Sequence, residues 1–409
     1  MSTVGLDISP IALARRTHAV RQPASSIAPP RDARFGLAVT PHCIETLEAD
    51  WRALERVGIK SHGVFQTYDW VVNWARIFCA GTPGDQPFIV SGFQDGELKF
   101  LWPLMKTRCG PLTILRWASE PLAQYGDILL APGECPKSWM AAATGFIRQT
   151  PGIHSIRLRH VREDANCQPF LRDAFRDARL VEQAPWLDLR AFANDAAYEA
   201  RYNSNQRKRR KKIRKALADD FGPVAFDVLD IGPANDAAMA EAIAEKCRWI
   251  DERGRQNQIL GSKALLAFLA GLSRNAGGNV RLLTSRMRAG EKVLSWEIGL
   301  RFGTSHFGFI TSHVNALTNY SPARLHMDFS QRRALADGMT VFDLMVPHDP
   351  HKESWSSAAM ETRDHHLPLS PGGWIYGRLY LEMLRPLLRD AYYRLPQKTL
   401  RFLKPLIGH

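Results

Sequence analysis

Ser321 and Pro322 stand between an apolar run of strand character, Phe307-Gly308-Phe309-Ile310, and a helical stretch from 323 to about 337. Serine is a favoured helix cap because its hydroxyl accepts a free amide of the first turn. Proline fits the first helical position, where its missing N–H costs nothing. A helix that starts sharply after a strand offers free amides and the positive end of its dipole. It can therefore hold an anion such as the pyrophosphate of a nucleotide-type cofactor. Arg324 in the first turn would strengthen that site. An ordinary capped helix is the plainer reading of the same pair.

Three titratable residues lie near this start. Glu297 interrupts the apolar strand 293–300, and alternation places it with Ser295 and Gly299, towards solvent or a cleft. His313 opens the loop after the next strand, where connecting loops often carry function. Asp343 sits among Val341, Phe342, Leu344 and Met345, so an ionised carboxylate there wants a partner, with Lys352 and Arg324 as candidates. His348, Asp349 and His351 suggest a metal, but Pro347 and Pro350 deny them a helix, and none is expected. His365 and His366 fall in a strand-like run and point to opposite faces.

Positioning these groups needs a scaffold, and apolar periodicity outlines one. In the first half, helices are expected over 46–57 (Leu47, Trp51 and Leu54 inward) and 67–79 (Trp70, Val71, Trp74 and Ile77). Strands at 87–93 and 98–105 flank the turn Asp95-Gly96-Glu97. Strand-like runs at 111–117 and 127–130, a helix over 136–148 and a strand at 153–158 follow. The second half opens with a basic helix ending at Gly222. Helices over 235–253 and 262–275 come next, then strands at 280–286, 292–301 and 304–311. The Ser321-Pro322 helix runs to Gly338, and a strand at 340–345 closes the unit.

The order of elements is the same twice. It predicts an α/β (α+β) protein of two successive related domains, with mixed sheets flanked by helices, over 35–190 and 191–370. A disordered leader over 1–34 and a C-terminal helical segment over 371–409 complete the chain. The first half has Cys135-Pro136 where the second has Ser321-Pro322, and its longer loop carries Tyr125-Gly126-Asp127. A donor site is thus expected in the second half, with the first shaping the acceptor side.

Composition bounds the rest. With 409 residues, 45% of them hydrophobic, the chain can bury a large core. No run reaches the ~18 apolar residues of a membrane span, and no signal-peptide core opens the chain. Six scattered cysteines without a C-x-x-C pair fit a reducing cytoplasm. The formal charge of +13 is concentrated between Arg201 and Lys215, where nine residues are basic and none is acidic. That run suits a polyanion, an anionic lipid or a solvated helix face; without interleaved aromatics it does not argue for nucleic acid. The tail Arg401-Phe402-Leu403-Lys404 could touch the inner face of a membrane.

Longer patterns carry a resemblance. Tyr320-Ser321-Pro322, a helix, Gly338 and then FDLMVPHDPHKESW over 342–355 are similar to a family pattern of YSPG, helix, glycine, FDF, PYK and tryptophan. Asp343, Pro350, Lys352 and Trp355 fall on its positions. Phe65-Gln66-Thr67 with Trp70 and Trp74 is similar to the family's first-domain start, as RKRRKKIRK before Gly222 and Phe226 is to another element. From about 45 to 358 the chain thus resembles the CelD-type acetyltransferases of cellulose and exopolysaccharide loci. These belong to the GNAT superfamily and are akin to Fem aminoacyl transferases, which have two tandem GNAT-like domains. Ala323 replaces the usual glycine, Val314 a frequent aspartate and His351 the usual tyrosine, and the Q/R-x-x-G-x-G/A loop of ordinary GNAT enzymes is absent.

The resemblance implies transfer of an acyl group from acetyl-CoA or another acyl-CoA to an amine or hydroxyl of a sugar, polysaccharide precursor or small molecule. Ser321 and Pro322 with the amides of Ala323, Arg324 and Leu325 would hold the pyrophosphate, with Lys352 and Trp355 as a lid. Glu297, His313 and Asp343 are the candidate bases. Gln66, Trp70, Tyr125, Asp127 and Tyr320 would face the acceptor. Two alternatives stand beside this: a non-catalytic partner in polysaccharide synthesis, and a Fem-like transferase using charged tRNA held by 207–215.

Overall fold

Period-two alternation of apolar residues along the strands builds one continuous 13-stranded sheet. The structure, a computed structural model, describes residues 28, 30–79, 85–253, 257, 259–275, 278–385 and 387. The first half supplies β1 (Arg34–Ala38), β2 (Gln86–Gln94), β3 (Glu97–Cys109), β4 (Leu112–Trp117), β5 (Leu129–Leu130), β6 (Ser155–Arg162) and β7 (Arg176–Asp188). The second supplies β8 (Val224–Leu229), β9 (Val280–Ala289), β10 (Lys292–Phe302), β11 (Ser305–His313), β12 (Val341–Asp343) and β13 (Ala358–Pro368). Their order across the sheet is β1-β2-β3-β4-β6-β13-β7-β12-β11-β10-β9-β8, with β5 on β3.

Helices in the first half are α1 (Pro41–Glu45), α2 (Glu48–Gly58), α3 (Tyr68–Trp74), α4 (Pro136–Gln149) and α5 (Gln168–Ala174). Next come α6 (Asp195–Ala200), α7 (Ser204–Phe221), α8 (Pro233–Glu252) and α9 (Lys263–Arg274). The chain closes with α10 (Pro322–Ala336), α11 (Pro350–Glu353) and α12 (Pro371–Ile375). The α/β architecture and the repeated element order are those expected. Four strands escaped the sequence reading in whole or part: β1, β7, β8 and β13. Of the leader expected over 1–34, residues 1–27 and 29 lie outside the described residues, as do the expected helix beyond 387 and the tail 401–404.

Two features join the halves. Strand β12 pairs antiparallel with β7, matching Val341, Phe342 and Asp343 to Asp188, Leu187 and Trp186. Strand β13, last in sequence, threads between β6 and β7 of the first half. A core cluster then spans both halves, combining Trp51, Phe65 and Trp70 with Phe268, Phe307 and Met345. Along β10 the alternation separates two environments. Trp296, Ile298 and Leu300 join that core. Ser295 and Glu297 turn to the underside of α10, where the Ser295 hydroxyl meets His326 Nδ1 at 2.9 Å.

Candidate functional site

Strands β11 and β12 run parallel only as far as Phe307 and Asp343. Strand β11 continues to His313, but the other chain leaves it, because the Leu344 amide donates to Pro185 O of β7 at 2.9 Å. Met345 then takes a left-handed conformation (φ 56°), and its amide donates to Asp343 Oδ1 at 2.7 Å. The two strands splay apart. A cleft of about 430 Å³ fills the wedge, walled by Gly308–Thr311 on one side and Leu344–Pro347 on the other. Met327 of α10, Ile250 of α8 and Leu122 and Gln124 of the first half complete it.

Lys352 lines this cleft. Its Nζ donates to Met345 O (2.9 Å) and Pro347 O (2.8 Å). An ammonium has three donors, so one N–H is left for a ligand. Burial pushes this group down to about 8, against the opposing pull of Asp343. Further cations gather near it. His351 lies in the field of Arg324 and Lys352, and His313 in that of Lys246, Arg253 and His351. Burial, helped by these neighbours, lowers both imidazoles. Burial and then Arg253 lower the Lys246 ammonium. Neither Lys246 nor Arg324 has a carboxylate partner among the described residues, so cations outnumber the nearby acid Asp349, which acts on His351 and Lys352.

Behind the cleft wall, Asp343 is 2% exposed. Its Oδ1 also accepts from the Tyr125 hydroxyl at 2.8 Å, and its Oδ2 pairs with Arg162 at 3.2 Å. Both partners come from the first half. Burial raises the Asp343 carboxyl, outweighing the pull of Arg162 and Tyr125. Asp343 therefore fixes the Met345 turn and ties it to the first half. The expected partners Lys352 and Arg324 do not bond to it. Arg162 does, and the sequence reading passed over it; as the third arginine of the alternating run SIRLRHVR over 155–162, it carries no local mark that sets it apart from Arg157 and Arg159.

Residues 204–353 match the family model described as an acetyltransferase (GNAT) domain. That segment runs from α7 to α11 and contains the splay. Over the whole chain the fold is similar to the crystal structure of FemX, at a TM-score of 0.55 and 11% identity, covering 81% of this chain and 98% of that one. A conserved protein of unknown function from Bacteroides thetaiotaomicron aligns at a TM-score of 0.49 and 10% identity, covering 78% and 97%. A tandem GNAT protein from the clavulanic acid pathway aligns at 0.47 and 12%, covering 83% and 99%. No curated protein sequence matches the chain significantly.

Within the GNAT segment the expected residues scatter into three groups. Lys352 and His351 line the cleft; Arg324 and His313 do not, although His351 lies in the field of Arg324 and His313 in that of His351. Ser321 does not cap α10 with its hydroxyl: it is left-handed (φ 48°), and its carbonyl takes the amides of Arg324 and Leu325. Two of the three amides expected to face a phosphate are thus already bonded; that of Ala323 is not among them. Pro322 and Leu325 are buried. Tyr320 packs on Phe221 and donates to Asp220, away from the cleft walls.

Two more second-half residues turn inward. Glu297 faces neither solvent nor the cleft; it is 3% exposed and bonded to His306 at 2.8 Å. Burial raises its carboxyl, but His306, His326 and Ser330 together bring it below its ordinary value. Trp355 is no lid, since it packs at 3% exposure among Tyr198, Tyr202 and Leu344.

The first-half residues divide likewise. Trp70 is core, its indole donating to Ser119 at 2.7 Å. Asp127 is spent on the amides of Ile128, Asn166 and Cys167. Gln66 Nε2 donates to Tyr125 O at 2.9 Å, steadying the residue that reaches Asp343. The cleft residues that sequence missed, Met345 and Lys246, look like ordinary strand and helix positions. Nothing local marks the point where two strands part. Among the described residues no cluster of metal-ligating side chains occurs, and no helix is long and apolar enough to cross a membrane.

Proposed function

We propose that the protein transfers an acyl group from acetyl-CoA or another acyl-CoA to a hydroxyl or amine of a sugar, polysaccharide precursor or small molecule. The observation that supports this is the wedge between β11 and β12, apolar along its walls and cationic at its mouth. A pantetheine arm would lie along Gly308–Thr311, where strand amides can bond to it. The phosphates would sit among Arg324, His313, Lys246 and His351. Lys352 would turn its remaining N–H to the thioester carbonyl, stabilising the charge that grows on oxygen as the acceptor attacks the carbonyl carbon. The C–S bond then breaks, and the acceptor's proton leaves with the thiolate. Asp343 and Tyr125 act as positioning residues behind Met345. Glu297 has no part in this scheme.

Calorimetry with CoA and acetyl-CoA tests the reading. Binding is expected, weakened about tenfold or more by Arg324→Glu. An ammonium is charged below its pKa, so affinity should be full below pH 8 and fall as pH rises through it, and Lys352→Met should flatten that profile. Absence of binding to any CoA ester sinks the proposal. The exposed cations Lys208, Arg209, Lys211, Lys212 and Arg214 of α7 favour one second reading, a charged tRNA as donor. Salt-sensitive tRNA binding, lost on reversing those charges, would replace acyl-CoA.

A further inference from the structure

Helix α12 continues as a wider helix over Tyr376–Leu384, where the Arg385 amide reaches back five residues to Tyr380 O. Two glycines dock it on the sheet. A Cβ at Gly373 would lie 1.8 Å from His154 O, and one at Gly377 2.6 Å from His366 Nε2. Leu381, four residues on, is fully buried beside Ile114. The opposite face is apolar as well. Of the eleven exposed large apolar side chains among the described residues, seven lie between Trp374 and Leu387. Ile375, Leu379, Met383 and Leu387, spaced by four, are 50–67% exposed. The wide pitch keeps residues four or five apart on one face. A helix apolar on both sides expects cover on both.

Charge indicates what covers it. Arg378 and Arg385 are paired with Glu382 and Asp364. From Arg385 to the last residue the sequence carries six Lys and Arg but one acid, Asp390. A second copy would double this excess of basic residues. An anionic lipid surface would neutralise them while its acyl boundary received the apolar side chains, with Trp374 and Tyr380 at the interface. We propose that residues 374–385 and 387 form a seat for the surface of an anionic phospholipid bilayer, with the chain lying on the membrane. This stands independently of the acyl-transfer reading.

The full chain, mixed with vesicles of phosphatidylcholine and phosphatidylglycerol in equal parts and with phosphatidylcholine alone, tests it by co-sedimentation. Binding is expected to the mixed vesicles, about tenfold or more tighter than to neutral ones and weakened by salt. The exposed triple variant Leu379→Gln/Met383→Gln/Leu387→Gln should lose about a hundredfold in vesicle affinity at an unchanged melting temperature. Three results overturn the proposal. The chain ignores anionic vesicles; the triple variant still binds them; or light scattering shows a dimer that the variant dissolves.

Discussion

The two halves place the same elements differently around the same gap. In the first, β4 and β6 pair in parallel at Ile114 and Leu115, as β11 and β12 do in the second. Beyond that pairing the first half has no wedge. Trp117 bridges it, its indole donating to Arg159 O of β6 at 3.0 Å. Gly126 lies so close that a Cβ there would meet the Trp117 ring at 2.0 Å. The second half has Gly308 to Thr311 and the turn at Met345 in the corresponding place, and the gap is open. The helices differ too. Helix α4 sets its own apolar side chains, Trp139, Met140, Ala143 and Ile147, on an apolar bed that includes Phe88, Val90 and Phe100. Helix α10 rests partly on a polar bed of Ser285, Ser295, Glu297 and His306 around His326 and Ser330. A duplicated frame can thus keep its strands while one copy trades its cleft for core.

Removing the plug should have the largest effect. Trp117→Ala is expected to cost about 3–5 kcal/mol in denaturant unfolding, from lost packing and an orphaned carbonyl, without creating CoA binding. Acid should separate the two helix beds. Burial lowers His326 to about 4, so between its ordinary value near 6.5 and 4 only the unfolded chain takes up the proton. Stability should fall as pH drops through that window, by at most about 3 kcal/mol. Hydrogen exchange at low pH should open α10 before α4, and equal protection would contradict the contrast. Inserting a plug, Gly308→Trp, should reduce CoA affinity about a hundredfold or more while the fold persists, since a Cβ there meets nothing nearer than 3.7 Å. The smallest effect is expected from Tyr125→Phe, about 1–2 kcal/mol, and a double-mutant cycle with Asp343→Asn should show coupling between the halves.

The sequence carried the longer helices and the strands from β2 to β6 and from β9 to β12, because their apolar stripes repeat at periods set by local geometry. It also singled out Tyr125, Asp343 and Lys352, which the fold brings to one region. It read Trp70 as facing the acceptor, Trp355 as a lid and Glu297 as turned to solvent or a cleft, since burial of an indole or a carboxylate depends on which elements stack above it. Arg162 and Asp343 are 181 residues apart, and β13 pairs with strands far earlier in the chain. Such contacts follow from topology, which no local period encodes.

Strand β13 lies between β6 and β7 although it is synthesised long after both. On the ribosome the N-terminal half must therefore wait, its central strands exposing unpaired edges, until most of the polypeptide has emerged. Cutting the gene between the halves would leave the leading fragment with a missing slat and an adhesive edge. The two units are sequential on the messenger but interlocked as products, and either one is completed only by the other.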